Sequence, residues 1–377
     1  MSEDIIALTG GSGIGIPFLE LGNLFFCIAI IFLLSKKFNI PKVFLYILIL
    51  SLLPSFFING FLIDPAFMID QFRYWEQFIL MRSMDFSFIE SPPIYLFGLI
   101  MNFTSIIMPI SLVSVGLANR LIFSVFFIYL YNKKLLTRIS GWFLLIYPSL
   151  LLYSSLALRD LLVMIFMFLF TLALISRKHT LIILSLLLMF VLKIFIGILF
   201  VCIYISFFAF FDKQLKSRVY IPIFWVLSLF LIFAILFDYI SEPFNLYRNI
   251  MFHEDGGIGS LYPLGSVIEF LKEFIVRFFW GLTQPSFFSF SSLLQLIQAT
   301  ENLAISIFLI IFSYIYFRKL PYETTFWILS FLFVFGVYSL IVFNIGSLSR
   351  YKFPILAWYV FSLSAHYCFL INKTKYE

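Results

Sequence analysis

Residues 43–62 read VFLYILILSLLPSFFINGFL and contain no charged side chain. A helix rises about 1.5 Å per residue, so a run of this length is sufficient to cross a hydrocarbon core about 30 Å thick. Similar runs recur at 219–237 and 325–343. A helix satisfies its own backbone hydrogen bonds inside lipid, which makes helices the expected form of such runs. The stretch therefore predicts a helical membrane protein.

The composition of the whole chain supports the same class. Of its 377 residues, 63% are hydrophobic and only 12% are charged, and the mean hydropathy is +1.07. Such values exclude a soluble globular protein of this length. We predict an all-α polytopic integral membrane protein with about 11 to 12 transmembrane helices, forming a single transmembrane domain over residues 1–377. The predicted spans lie near 17–35, 43–62, 94–131, 141–157, 160–176, 180–192, 194–211, 219–240, 302–318, 323–343 and 354–371.

Short basic loops between these spans set the predicted orientation. Cytoplasmic loops of membrane proteins are enriched in Lys and Arg, so the basic loops mark the cytoplasmic side. The N-terminus, with Glu3 and Asp4, is then predicted to lie outside, and it lacks the basic segment with which a cleavable signal peptide begins. The residues that define the basic loops are Lys36, Lys37, Lys42, Lys133, Lys134, Arg138, Arg177, Lys178, Lys213, Lys216, Arg218, Arg318, Lys319, Lys373 and Lys375.

Residues 94–131 leave two interpretations open. If 63–92 lies outside and 132–139 inside, this stretch makes one net crossing, although it is long enough for two. One interpretation is an interfacial or re-entrant helix followed by one span. The other is two full spans, which would put the 132–139 loop outside despite its three positive charges. Arg120 lies in this stretch, so its side of the membrane stays open as well.

Two outer loops, 63–92 and 240–301, are predicted to lie in the periplasm and to carry short helices. Long loops with helical patterning of their own usually have a function. In the second loop, the segment FLKEFIVRFFWGLTQP is rich in apolar residues and is typical of a helix that lies at the membrane surface or dips into it. The same loop holds Arg248, His253, Glu254, Asp255 and Arg277.

Further ionisable residues interrupt apolar sequence on the predicted outer side. Arg159 and Asp160 lie in LALRDLL, Lys193 interrupts the stretch 181–212, and Arg350 and Lys352 lie in NIGSLSRYKFP, where a polar loop suited to phosphate oxygens is expected. A charged group near the bilayer is costly unless it faces a polar cavity or a partner, which favours a functional role. Each site also has a purely structural alternative. Arg159 and Asp160 would only end two helices, and Lys193 would be the turn of a helical hairpin, with its stem extended towards the membrane surface. Arg350 and Lys352 would only anchor the last span.

Outer cations, long outer loops and an apolar body together fit a lipid-linked phosphate or diphosphate as substrate. The lipid tail would lie between helices, and Arg would bind the anionic head through charge-assisted hydrogen bonds in bidentate geometry. When a sugar is transferred from such a lipid, negative charge grows on the departing diphosphate, and preorganised guanidinium groups stabilise that charge. A carboxylate would deprotonate the attacking sugar hydroxyl.

The layout resembles the Wzy-type O-antigen or capsule repeat-unit polymerases. The likeness rests on the helical layout, a large late outer loop, the step Leu158-Arg159-Asp160 between two central spans, Lys193 in the next helical pair, and R-Y-K-F-P after small residues at 346–354. It implies a GT-C-like membrane glycosyltransferase of O-antigen or lipopolysaccharide biosynthesis in the bacterial inner membrane. Such an enzyme joins undecaprenyl-diphosphate-linked oligosaccharide repeats, as donor and acceptor, on the periplasmic side without a metal or a nucleotide-sugar donor. A chain-length regulator protein stays open as a partner.

The resemblance also implies roles for individual residues. Arg248 and Arg277, on the large loop, would contact donor or acceptor. We further expect Arg159, Lys193, Arg277 and Arg350 to line one outer-facing cavity. The cations assigned to diphosphate binding are Arg159, Lys193, Arg248, Arg277, Arg350 and Lys352. The candidate general bases, among which no spacing selects, are Asp160, His253, Glu254 and Asp255.

Two alternatives stay open. The segment SPPIYLF and the acidic residues before it also resemble the outer loop of metal-dependent GT-C transferases that use a polyprenyl-phosphate sugar, in which Asp64 or Asp70 would be the base or a metal ligand. A lipid-linked oligosaccharide flippase would share the hydropathy and the cations, but its charges are expected along a path through the midplane. Here the charges concentrate on one side.

Other ligands are not indicated by the sequence. Cys27, Cys202 and Cys368 lie inside predicted spans, which favours neither a disulfide framework nor a cysteine metal site. The glycine-rich segment 9–15 lacks the Lys-Ser/Thr of a phosphate-binding loop. The net charge of +6 reflects the cytoplasmic loops and does not indicate nucleic acid. We therefore predict neither a metal nor another cofactor.

Overall fold

The computed structural model describes residues 20–58, 68, 70–84, 91–104, 111–211, 237, 239, 241–253, 257–259, 261–286 and 293–374. Within these ranges the regular structure is helical and no strand occurs, which confirms the all-helical prediction. Glu254, Asp255 and Asp64 lie outside the described residues.

Several neighbouring helices are joined by short described connections, such as residues 176–178 between the helices Asp160–Ile175 and His179–Leu192. Residues 241–253 are also helical. In chain order the helices are α1 (Leu21–Lys37), α2 (Lys42–Leu50), α3 (Pro54–Phe57), α4 (Asp70–Arg82), α5 (Pro92–Asn102), α6 (Leu112–Asn132), α7 (Arg138–Ile146), α8 (Pro148–Ser154), α9 (Asp160–Ile175), α10 (His179–Leu192), α11 (Ile194–Phe210), α12 (Val267–Thr283), α13 (Leu293–Phe317), α14 (Pro321–Ser339) and α15 (Ile345–Thr374).

Three helices among the described residues are long and apolar enough to cross a membrane. They are α6, residues Gln295–Phe317 of α13 and residues Ile345–Asn372 of α15. Shorter apolar helices, among them α9, α10 and α11, accompany them. Length and composition thus fit a helical membrane protein, whereas the full number of crossings stays a prediction.

The contacts within the chain group it into two compact units. The first unit comprises Met1–Ile198 and Ser364–Glu377, and the second comprises Leu199–Leu363. In the first unit α6 is buried along most of its length. In the second unit α12 packs closely on α14, because Gly336 lies against the Phe274 ring, where a Cβ atom would come within 2.1 Å. This grouping does not test the prediction of a single transmembrane domain.

Three predicted spans agree closely with the helices. Spans 160–176, 180–192 and 194–211 are found as α9, α10 and α11, with each boundary within one residue. The predicted span 141–157 is interrupted instead, since α7 ends at Ile146 and α8 begins at Pro148. Proline has no backbone N–H and is favoured in the first turn of a helix, so it starts a new helix there.

The two interpretations of residues 94–131 are distinguished in part by helix length. Helix α5 has 11 residues and a length of about 16 Å, too short to cross a bilayer, whereas α6 has 21. Moreover, Pro41 and Lys134 line one cavity of the first unit, so the loops at 38–41 and 132–138 lie at the same end of that unit. Both observations favour one short helix followed by one span.

The polar loop expected at 346–352 is wrong, because these residues form the first turns of α15. Asn344 begins the helix: its Oδ1 accepts the Gly346 N–H at 2.7 Å and its carbonyl accepts the Leu348 N–H at 2.8 Å. Pro354, taken from the sequence as the start of the last span, lies inside the helix. Helix α13 extends beyond the predicted span 302–318 at its start, since its described part begins at Leu293.

Candidate functional site

Asp160 and Lys193, 33 residues apart in the sequence, form an ion pair in the first unit. Asp160 is the first residue of α9. Lys193 occupies the break between α10 and α11, where its backbone is extended, with φ −150° and ψ 92°. Its Nζ donates a hydrogen bond to Asp160 Oδ1 at 2.6 Å. The break in the apolar helical pair therefore positions the lysine for this contact.

The pair is almost completely removed from solvent. The side chains of Lys193 and Asp160 are 10% and 0% exposed. Asp160 also lies in the first turn of α9, where the positive end of the helix dipole favours a carboxylate. Removing one charge of a buried pair takes away a stabilising interaction of the other charge, so each residue contributes to the burial of its partner.

The loop that leads into α9, residues 155–159, is held by hydrogen bonds from two other helices. Asn119 of α6 donates from Nδ2 to the carbonyls of Leu156 and Leu158 at 2.7 and 3.0 Å. Gln71 of α4 accepts the Ala157 N–H at 3.2 Å through its Oε1. Buried backbone groups outside a helix need such partners. The backbone next to Arg159 is therefore preorganised.

Helix α6 lies directly against this loop. At Gly116 a Cβ atom would come within 2.2 Å of the Ser155 carbonyl oxygen, so only glycine permits the approach. One turn further on, Arg120 is fully buried, and its Nη1 donates to Ser154 Oγ at 2.6 Å. Its guanidinium lies 4.7 Å from the Phe123 ring centroid, and its Nε and Nη2 have no hydrogen-bond partner among the described residues. Arg120 thus brings a third positive charge to this part of the first unit.

Arg159 differs from Asp160 and Lys193 because its guanidinium is available to bind a ligand. Its side chain is half-buried and makes no hydrogen bond or ion pair within the described part of the chain, and its Nε is buried without a partner. It directly precedes Asp160, whose charge already interacts with Lys193. We define Arg159, Asp160 and Lys193 as the first-unit site. It presents a free guanidinium on a fixed backbone, an arrangement that suits an anion.

In the second unit, two predicted cations lie around one aromatic ring. Arg248, in the helix over 241–253, is 2% exposed, and its Nε donates to the Leu340 carbonyl at 3.1 Å. Arg277 of α12 donates from Nε to Glu273 Oε1 at 2.8 Å. The two guanidiniums lie 5.8 and 4.9 Å from the Phe343 ring centroid. Burial lowers the pKa of Arg248; the charge of Glu273 opposes this shift and that of Arg277 adds to it.

Lys352 of α15 is buried and has polar partners on two other helices. Its Nζ donates to Asn302 Oδ1 at 2.6 Å and to the Gly281 carbonyl at 3.2 Å. That carbonyl lies in the last turn of α12, where helical carbonyls lack a partner of their own. Lys352 therefore joins α12, α13 and α15, and its role in diphosphate binding stays a prediction. Arg350, half-buried, lies with its guanidinium 5.5 Å from the Tyr351 ring centroid.

Of the candidate bases, Asp160 is in the ion pair and His253 is exposed, its Nδ1 3.2 Å from the Gly257 carbonyl. For the alternative with a polyprenyl-phosphate sugar, Asp70 lies in the first turn of α4. No group of three or more His, Cys, Asp or Glu residues that could hold a metal ion occurs within the described ranges.

The structure thus brings together Arg159, Asp160 and Lys193 in one unit and Arg248 with Arg277 in the other. One outer-facing cavity lined by Arg159, Lys193, Arg277 and Arg350 stays a prediction. Gln71 and Asn119, which hold the loop before Arg159, were not predicted from the sequence. The polar pair Asn119–Arg120 inside an apolar run was the sequence signal that could have indicated a buried polar contact here.

No protein-family model, no curated protein and no solved structure matches this chain.

Proposed function

We propose that the chain is a membrane glycosyltransferase that polymerises O-antigen or a related surface polysaccharide. In this proposal it is GT-C-like, crosses the bacterial inner membrane about 11 to 12 times and acts at its periplasmic face. It joins undecaprenyl-diphosphate-linked oligosaccharide repeat units, one as donor and one as acceptor. It needs no metal, and a chain-length regulator is a candidate partner.

The observation that carries the proposal is the guanidinium of Arg159, which has no protein partner among the described residues, beside the buried pair of Asp160 and Lys193. A diphosphate has several anionic oxygens, which Arg binds in bidentate geometry and Lys binds as a point charge. Asp160 holds the ammonium of Lys193 at 2.6 Å, so the lysine is fixed before any ligand arrives. We assign diphosphate binding to Arg159 and Lys193, and the positioning of Lys193 to Asp160.

The chemical step follows from these assignments. The hydroxyl oxygen of the acceptor sugar forms a bond to the anomeric carbon of the donor, and the bond from that carbon to the diphosphate oxygen breaks. The electron pair and a negative charge pass to the lipid diphosphate, where fixed cations stabilise them most strongly in the transition state. The hydroxyl proton passes to a general base, for which His253, Glu254 and Asp255 are candidates besides Asp160.

The test is a polymerisation assay with the full chain in nanodiscs. Purified protein is incubated with lipid-diphosphate-linked repeat units, and the product length is followed on a gel with and without a chelator. The proposal expects a ladder of products that survives the chelator. A ladder that the chelator abolishes contradicts the metal-independent mechanism.

The absence of elongation by folded protein with verified substrate overturns the polymerase. Two further assays then separate the alternatives. Transfer of one sugar from a polyprenyl-phosphate donor supports the related transferase, and movement of the lipid-linked oligosaccharide across a vesicle membrane without a new glycosidic bond supports a flippase.

A further inference from the structure

A cavity of about 620 Å³ lies in the first unit, where the turn after α1 meets the turn after α6. Phe38, Phe44, Tyr131 and Trp142 form an aromatic part of its lining. The cavity shares no lining residue with the first-unit site, since neither Arg159 nor Lys193 lines it.

The aromatic lining is built around one buried ring. Phe44 makes edge-to-face contacts with Phe127, Tyr131 and Trp142, with ring centroids 5.8, 5.5 and 5.2 Å apart. Edge-to-face pairs at such distances stabilise a defined arrangement of rings. Trp and Tyr are also enriched where membrane helices meet the headgroup region. This part of the cavity therefore offers a rigid, mostly apolar surface.

The other part of the lining is cationic. Lys134 and Arg138 line the cavity, are exposed, and make no ion pair within the described ranges. The segments 36–44 and 131–142 contain six Lys or Arg residues and no Asp or Glu. Arg138 is the first residue of α7, where the helix dipole also favours an anion. A ligand that complements this cavity is anionic at one end and apolar at the other.

The position of the cavity selects one source for such a ligand. Asn132, which also lines the cavity, ends α6, a helix long and apolar enough to cross a membrane. Basic pockets at the ends of membrane helices on the side rich in Lys and Arg suit anionic lipid headgroups. We propose that this cavity is a binding site for an anionic phospholipid. The phosphate would lie at Lys134 and Arg138, and the part of an acyl chain nearest the headgroup would lie against the aromatic rings. The site goes beyond the proposed function and does not depend on it.

The test compares two lipids with identical acyl chains. The Kd values of phosphatidylglycerol and phosphatidylcholine are measured by native mass spectrometry on the full chain in a neutral detergent. We expect phosphatidylglycerol to bind at least about tenfold more tightly, because Lys134 and Arg138 attract its net negative charge, which phosphatidylcholine lacks. Glycerol phosphate without acyl chains is expected to bind more weakly than the intact lipid.

The decisive variant is Lys134→Gln/Arg138→Gln, which keeps the aromatic rings. We expect its affinity for phosphatidylglycerol to fall roughly 30-fold, while phosphatidylcholine binding is unchanged and reports an intact fold. The matched control is Arg177→Gln/Lys178→Gln. It removes two charges from another basic loop of the same unit, and like Lys134, Arg177 has a left-handed backbone, with φ near +55°.

The control variant is expected to keep its affinity for phosphatidylglycerol within about twofold, because neither Arg177 nor Lys178 lines the cavity and solvent screens their exposed charges. Equal losses in both double variants would show a diffuse attraction to a basic surface and overturn the site. The proposal is also overturned if phosphatidylcholine binds as tightly as phosphatidylglycerol, or if glycerol phosphate alone binds as tightly as the lipid.

Discussion

The first and second units hold their cations in different ways. In the first unit, Asp160 satisfies Lys193 and leaves Arg159 free of protein partners among the described residues. In the second, Lys352 and Arg248 donate to protein carbonyls, and Arg277 pairs with Glu273. A cation that donates to carbonyls of several elements holds its surroundings together. A guanidinium without protein partners is available to a ligand, and the paired lysine of the same site adds its charge. This difference, and not charge alone, makes the first-unit site the better candidate for chemistry.

The largest effect is expected at the buried ion pair. Lys193→Met removes the ammonium group that pairs with Asp160, and the Asp160 carboxylate, which is 0% exposed, stays buried without that charge. We expect the free energy of unfolding to fall by about 3–5 kcal/mol, measured by denaturant titration in mixed micelles. Lys178→Met, in an exposed loop of the same unit, serves as the control and should change it by less than about 0.5 kcal/mol.

A double variant separates the two contributions of Lys193. Asp160→Asn/Lys193→Met removes both charges, and we expect most of the lost stability to return because neither charge of the pair is left buried without the other. Polymerisation should stay low, since the cation for the diphosphate is still missing. Recovery of both stability and polymerisation in this variant would limit the pair to a structural role.

Arg159→Gln should produce the next largest effect, and here the effect is on rate and not on stability. The side chain has no hydrogen-bond or ion-pair partner within the described ranges, so we expect the free energy of unfolding to change by less than about 0.5 kcal/mol. Loss of one preorganised cation at a departing diphosphate should lower the polymerisation rate about 10²- to 10³-fold. Initial rates in the nanodisc assay measure this.

The control for Arg159 is Arg177→Gln, which removes an exposed guanidinium of the same unit. Its polymerisation rate should match that of the parent chain. If Arg159→Gln keeps more than about a tenth of the parental rate, less than 1.4 kcal/mol of transition-state stabilisation has been lost, and the comparison between the units loses its functional meaning.

The sequence predicted the helices around this site well, because apolar length and charged interruptions are local signals. The start of α9, the end of α10 and the start of α11 followed from Asp160 and Lys193 themselves. The pairing of these two residues was not predictable in the same way. It depends on how the break at Lys193 turns its side chain towards the start of α9, which is a property of packing and not of spacing.

The residues that prepare the site were harder to recognise. Gln71 and Asn119 are uncharged and lie in helices far apart in the sequence, and their function appears only once they meet the loop before Arg159. At the start of the last helix the prediction from the sequence was wrong, because Gly346 and two serines suggested a loop. The side chain and carbonyl of Asn344 instead satisfy N–H groups of the first helical turn, which allows the helix to begin nine residues before Pro354.

Lys352→Met tests the structural role of a partnered cation. The variant leaves Asn302 Oδ1 and the Gly281 carbonyl without their donor, but it also removes a buried charge, so the two effects partly cancel. We expect a loss of about 2 kcal/mol in the free energy of unfolding. Lys319→Met, at an exposed position of the same unit, is the matched control. A stable Lys352→Met variant with a strongly reduced polymerisation rate would instead assign Lys352 to the substrate.

The smallest effect on stability is expected for Arg277→Gln. Arg277 and Glu273 are 22% and 31% exposed and pair at i,i+4 on α12, an arrangement worth about 0.3–0.5 kcal/mol. Loss of the Arg277 charge also raises the pKa of the buried Arg248, because that charge lowers it now. We therefore expect the thermal unfolding temperature to stay nearly unchanged in Arg277→Gln and also in Glu273→Gln.

A loss above about 1.5 kcal/mol in the free energy of unfolding of Arg277→Gln would mean that the contacts of Arg277 with Phe343 and Trp280 give it a structural role like that of Lys352. With stability intact, a reduced polymerisation rate in Arg277→Gln but not in Glu273→Gln would extend ligand binding to the second unit.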